Sequence, residues 1–242
     1  VEGGYTLDSL SFADLAEVAT LYTKQNPQGV WDADGPWYAQ YDDVSGAPPP
    51  APMAAPHLAP PPVIAQPPPS NPLADYRIGT NATVFAPYAG LRISARDLAK
   101  LLLLFLDGGR YDGRQIVAPA TLQRMLREQW HFDPKRPNGD TQAGSYYAWG
   151  LGLQHSSAMP DTAGEQAGQG EGGDCLTVDC AAFWGHRGEA YGFLGNFWFD
   201  PQRHIGFVYL IGGLGDDPLN HPGQYSKFSA WEETIQTALL NE

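Results

Sequence analysis

A chain of 242 residues, 43% hydrophobic and 12% aromatic, carries enough apolar surface for a substantial core, which excludes global disorder. Its formal net charge of −13 repels phosphate backbones and anionic lipid headgroups, so binding to nucleic acid has no electrostatic footprint. The longest apolar run, Leu101 to Leu106, falls far short of the about 20 residues needed for a membrane span, and Val1 opens without a charged-then-apolar leader. The expectation is a soluble chain, with any export signal removed or carried on sequence preceding Val1. Glycine and proline, 28 and 22 residues, make up roughly a fifth of the chain, which is therefore turn-rich.

In residues 1 to 47, Ser11 with Asp14 resembles a capping box, and Leu15, Val18, Ala19 and Tyr22 recur at helical spacing. The predicted helix ends before Pro27. An acidic loop from Gln28 to Asp43 carries Trp31, Trp37, Tyr38 and Tyr41, which either line a cleft or pack the loop onto the body. Between Pro48 and Pro72, twelve of 25 residues are proline, so neither helix nor central strand is expected. This stretch reads as a linker or surface wrap, pinned locally by Met53, Leu58, Val63 and Ile64.

Residues 73 to 145 read as a helical region. Ser94 to Asp97 is a second capping-box-like start, and Leu98, Leu101, Leu102 and Phe105 follow at helical spacing until Asp107-Gly108-Gly109 stops the helix. Another helix starts at Pro119 and runs through Leu122, Met125 and Leu126. Residues 146 to 242 read as antiparallel strands with a closing helix. Strands are predicted over Tyr146 to Gln154, Phe183 to Arg187, Tyr191 to Phe199 and Ile205 to Ile211, with a polar loop from Ser156 to Gly173. The last helix spans about Tyr225 to Leu240 and presents Phe228, Trp231, Ile235, Ala238 and Leu239 on one face. The predicted fold class is α+β, an antiparallel sheet flanked by helices.

The two cysteines, Cys175 and Cys180, are five apart. Paired, they close a ring worth about 2 kcal/mol, which persists only in an oxidising compartment. Free thiols are the alternative, and a metal reading with Asp174, Asp179 and His186 matches no familiar zinc spacing.

The run Ala89 to Lys100, then Gly108-Gly109, Asp112-Gly113-Arg114 and Pro119-Ala120-Thr121, followed by Trp149-Gly150-Leu151-Gly152 and Trp184-Gly185-His186-Arg187-Gly188, closely resembles serine β-lactamase-related hydrolases. Penicillin-binding proteins, class C β-lactamases, esterases and D-amino-acid peptidases belong to that group. The resemblance covers about residues 75 to 240 and implies acyl transfer to an active-site serine, with no cofactor or metal. Three motifs carry that chemistry: S-x-x-K, Y-x-N, and K-T-G or H-x-G on a strand. His186-Arg187-Gly188 resembles the third.

The first two are absent. The four lysines, Lys24, Lys100, Lys135 and Lys227, never follow a serine by three positions, and none of the twelve tyrosines has asparagine two residues on. In the family both motifs precede the matched region, so the resemblance implies a C-terminal portion whose serine, lysine and tyrosine lie upstream. Cleavage with an N-terminal fragment as bound partner, truncation, and loss of the chemistry are three readings of that gap.

By resemblance, His186 lines the cleft and shares a proton with the serine–tyrosine network, or packs beneath Trp184 if purely structural. Gly188 allows close substrate approach, and the backbone N–H of Glu189 is an oxyanion donor. Trp184, Arg187 and Tyr191 are candidate substrate contacts, with Phe193 as a further cleft wall. Arg187 and Glu189 depart from the small hydroxyl residues common at this motif, and Glu189 would oppose a substrate carboxylate. The expected substrate is a small ester, amide or lactam, in a periplasmic or secreted setting. The alternative is a catalytically silent module binding cell-wall peptide or a protein partner. Asn81-Ala82-Thr83 fits a glycosylation sequon, incidental here.

Overall fold

A computed structural model of the chain describes residues 2–4, 17–40, 63–66, 91–156, 173–190 and 192–240. Two units can be distinguished: Val1–Leu98, Glu189–Gly195 and Leu210–Asp216 form one, and Ala99–Gly188, Asn196–Tyr209 and Asp217–Glu242 the other.

The first unit holds β1 (Gly3–Gly4), β2 (Leu21–Thr23), β3 (Trp37–Gln40), β4 (Val63–Gln66) and β5 (Arg92–Ile93). β1 pairs antiparallel with β5, and a Cβ at Gly3 would lie 2.8 Å from the Arg92 carbonyl oxygen, so glycine sets that approach. β2, β3 and β4 form a second sheet in that order. The helix expected to run through Tyr22 is corrected here. Tyr22 lies opposite Ala39 in an antiparallel ladder, where an aromatic residue between Thr20 and Thr23 suits a strand better than a helix. Residues 5–16, which carry the start of that expected helix, lie outside the described part. β3 replaces part of the expected acidic loop, and its Trp37 ring takes Lys24 Nζ 5.1 Å from its centroid. β4 is the proline-free gap in the proline-rich stretch, and it pairs parallel to β3 as the outermost of the described strands in that sheet. Ile64 on it is 45% exposed, and Met53 and Leu58 lie outside the described residues.

α1 (Ala95–Leu106) begins as its sequence predicts, with the Asp97 amide donating to Ser94 Oγ at 3.0 Å. In the second unit, β6 (Arg110–Tyr111) and β7 (Arg114–Gln115) form a hairpin whose Asp112-Gly113 turn has positive φ at both residues, the geometry Asp-Gly favours. α2 (Pro119–Met125) follows with proline in its first turn. Next come β8 (Trp130–His131), β9 (Ala148–Trp149) and β10 (Gln154–His155). The single strand expected from Tyr146 to Gln154 is thus two short ones. Gly152, at φ 71°, reverses the chain between them, and Gln154 pairs with Trp149.

β11 (Trp184–Ala190), β12 (Phe193–Asp200) and β13 (Ile205–Ile211) complete a sheet of order β13-β12-β11-β10-β9-β8. The short links between β11, β12 and β13 require antiparallel neighbours. Period-two alternation sends Phe197 and Phe199 of β12 toward α1, where Phe105 stacks on Phe199 at 5.1 Å and joins a core of Leu102, Leu153 and Trp184. Asn196 and Trp198 point the other way, toward α3 (Ala230–Leu240). Among the described residues no strand lies beyond β13, and no helix is long and apolar enough to cross a membrane.

α3 corrects the sequence reading twice. It starts at Ala230, because Ser229 and Glu232 form a capping box: the Ser229 amide donates to Glu232 Oε2 at 2.9 Å, and the Glu232 amide lies 3.4 Å from Ser229 Oγ. The preceding turn is folded back by Glu233, whose carboxylate accepts from the amides of Gln224, Tyr225 and Ser226 and from Ser226 Oγ. Its buried side is also polar rather than apolar: Glu232, Glu233 and Gln236 are inside, and Leu239, expected inside, is 45% exposed.

Cys175 and Cys180 are bonded, with Cα atoms 4.7 Å apart, so neither thiolate remains for a metal. The loop they close buries Leu176 completely. Replacing both with serine is expected to lower stability by about 2 kcal/mol and to erase any difference between melts with and without reductant.

Candidate functional site

β11 reads Trp184-Gly185-His186-Arg187-Gly188-Glu189-Ala190. A side chain at Gly185 is impossible without moving β12, since its Cβ would strike the Phe197 carbonyl oxygen and lie 2.8 Å from Trp198 Cα. That close contact fixes the strand on either side of His186. Alternation then sends Trp184 and His186 to one face and Arg187 to the other.

Arg187 meets Glu232 in a two-pronged ion pair, Nε to Oε1 at 2.9 Å and Nη2 to Oε2 at 2.9 Å. Glu232 is completely buried, while Arg187 is 19% exposed with its guanidinium 5.5 Å from the Phe228 ring centroid. Asn196 Nδ2 donates to Glu232 Oε1 at 2.9 Å, and Asn196 Oδ1 accepts from Trp198 Nε1 at 2.8 Å. Burial is the largest influence on the Glu232 carboxyl and pushes it up. The Arg187 hydrogen bonds and charge, the Ser229 amide and Asn196 together outweigh it and hold the group below its ordinary value of 4.5. Beneath it, burial and then the Glu232 charge push the Tyr209 phenol well above the usual range, so Tyr209 stays neutral and accepts from Gln236 Nε2 at 3.0 Å.

His186 is exposed. Its Nδ1 lies 2.5 Å from the Arg187 carbonyl oxygen, which can only accept, so Nδ1 carries the proton and a neutral ring keeps its Nε2 lone pair for a proton from outside. The ring stands edge-to-face on Trp149 at 5.2 Å. Trp184, a sequence candidate for substrate contact, has its ring in the core at 9% exposure, with His155 stacked on it at 4.1 Å. His155 is held there by Glu128, whose Oε1 is 2.7 Å from Nδ1. Thus the tryptophan that meets His186 is Trp149, not Trp184.

Gly188 and Glu189 are both exposed on the strand's far end. Tyr191 lies outside the described residues. Phe193 is half-buried, and Arg187 is turned onto Glu232. Among the described residues no three metal-ligating side chains come together.

The β-lactamase family model matches residues 19–228, which include every described residue of this arrangement except the helix α3 side chains. The chain belongs to the β-lactamase family. Comparison with curated proteins gave no match. Membership assigns the chain to the serine hydrolase superfamily, and its α+β layout, with a six-stranded sheet and three α-helices among the described residues, is consistent with that family. Members are often periplasmic or secreted, and the Cys175–Cys180 bond fits an oxidising location.

Sequence reasoning missed Glu232 and Asn196. The signal for Glu232 was present, since Ser229-Ala230-Trp231-Glu232 has the S-x-x-E spacing of a capping box. Asn196 carried none, because its partner lies 36 residues away. Breaking the pair with Glu232→Gln leaves Arg187 partly buried without its counter-charge and is expected to cost about 3 kcal/mol at neutral pH. The folded-state value of Glu232 lies below the unfolded one, so its contribution is present above pH 4.5 and lost as pH falls through the depressed value. The same variant should therefore flatten the acid limb of a plot of stability against pH. Gly185→Ala is expected to lower the urea-unfolding free energy by about 3 kcal/mol through overpacking against β12.

Proposed function

We propose that this chain forms one wall of an acyl-transfer site acting on a small ester, amide or lactam, with the attacking serine on polypeptide outside these 242 residues. The observation that carries the reading is His186, exposed on β11 in the H-x-G pattern of a β-lactamase-family chain, with its Nε2 left open by the Nδ1 contact to Arg187. No serine in the sequence is followed by lysine at the third position, which is why the nucleophile is assigned elsewhere.

In the proposed reaction, serine Oγ attacks the carbonyl carbon and the carbonyl oxygen becomes an oxyanion that accepts from the Glu189 N–H. The serine proton passes through the lysine–tyrosine pair, with His186 Nε2 sharing it, to the departing alcohol or amine. Water then attacks the acyl-enzyme by the reverse route and releases the acid. Gly188 keeps the strand free of a side chain where the acyl group approaches. The periplasm or extracellular space, where a disulfide persists, is the proposed location, and an N-terminal fragment of the same protein the proposed partner.

For the 242 residues alone, the missing S-x-x-K favours a second reading, a binding module without turnover. Fluorophosphonate labelling of the complete gene product separates the two. The hydrolase reading expects a label on a serine of an S-x-x-K motif, and His186→Ala to slow labelling about 100-fold or more with an unchanged melting temperature. No labelled serine, or equal rates in the variant, overturns it.

A further inference from the structure

Beside His186 runs a continuous line of half-exposed rings. His186 meets Trp149 at 5.2 Å and 67°, Trp149 meets Tyr146 at 5.3 Å and 85°, and Tyr146 meets Trp130 at 6.3 Å and 73°. Each step is edge-to-face, an attractive arrangement in its own right that holds the rings in fixed orientations. None of the three aromatic residues is fully buried, in a unit whose core takes Phe183, Trp198 and Phe199 completely out of water.

We infer that Trp149, Tyr146 and Trp130 form a subsite for an uncharged, flat aromatic group on the substrate, adjoining His186. The inference rests on the acyl-transfer reading for its position beside the reacting carbonyl and adds the substrate class. Two independent features select that class. First, most polar groups flanking the rings are engaged within the protein, and the Tyr146 hydroxyl is the polar rim of the line, within reach of the Asp140 charge. Trp130 Nε1 donates to the Asn138 carbonyl oxygen at 3.2 Å, Asn138 Nδ2 donates to the His131 carbonyl oxygen at 2.9 Å, and Glu128 is taken by His155. What remains for a ligand is mostly ring surface, which suits an aryl group and serves a polyhydroxylated sugar poorly. Second, the cation inside the H-x-G motif is turned to the opposite face of β11 and paired with Glu232. A substrate carboxylate gains nothing from Arg187 there, so a neutral group is favoured over an anionic one.

The test uses the complete gene product and a neutral, non-hydrolysable probe, 4-phenyl-2-butanone, with 2-butanone and N-acetylglucosamine as comparisons. Amide and indole N–H resonances are followed during titration to about 10 mM. The expected result is saturable shifts confined to Trp130, Tyr146, Trp149 and His186, with 2-butanone and the sugar at least about five-fold weaker. Trp149→Ala should weaken the aryl ketone by about five-fold or more. Because that variant can loosen β9, Tyr146→Leu, which keeps an apolar body without the aromatic face, serves as a second reading and should also weaken it. Absence of shifts, shifts centred elsewhere, or equal affinity for the sugar overturns the inference. The ketone needs no nucleophile, so binding without labelling of the complete protein refutes acyl transfer and leaves the subsite standing. Labelling without binding refutes the subsite alone.

Discussion

The ion pair between Arg187 and Glu232 is the constraint on which the rest of the second unit is arranged. It joins the strand that carries the H-x-G pattern to the last helix, and it does so from inside, with Glu232 wholly removed from water. A buried carboxylate is tolerable only when its lone pairs are all occupied. Here the guanidinium, the Asn196 amide and the Ser229 amide and hydroxyl occupy them. The same carboxylate is therefore ion-pair partner, helix cap and anchor of β12. Such a group contributes less to net stability than an apolar replacement of the same shape, but it specifies one register of helix on sheet.

That arrangement explains how one strand can face two ways. Trp184 and the core under α1 hold one side of β11, and Arg187 is tied to α3 on the other. His186, between them, is left exposed with only Trp149 and a neighbouring carbonyl to orient it. Reactive side chains on rigid strands gain precision from supports that do not themselves touch the ligand. In the proposed site the motif's middle residue is such a support for His186, its charge turned inward onto Glu232.

Much of this was legible in the residues. α1 and its Ser94 cap, α2 behind Pro119, the β11 to β13 succession and the Cys175–Cys180 bond all follow from local signals: spacing, turn chemistry and separation. The failures share a cause. Tyr22 and its neighbours became β2 because Trp37–Gln40 was available to pair with them, and helical spacing of apolar residues says nothing about a distant strand. α3 was assigned the wrong face because hydrophobicity was taken to mark the inside, whereas here two carboxylates and an amide satisfy one another there. Trp149 was missed as the neighbour of His186 because the turn at Gly150–Leu153, which brings β9 beside β10, interrupts what reads as a single strand.

β13 has a consequence for solubility. Its sequence, Ile-Gly-Phe-Val-Tyr-Leu-Ile, is uncharged, proline-free and rich in β-branched and aromatic residues, and it sits outermost in the sheet among the described strands. A ribbon of that composition is a template on which further strands can stack from other molecules. Whatever segment lies along that ribbon therefore serves solubility as much as architecture, because it occupies backbone groups that would otherwise pair between molecules.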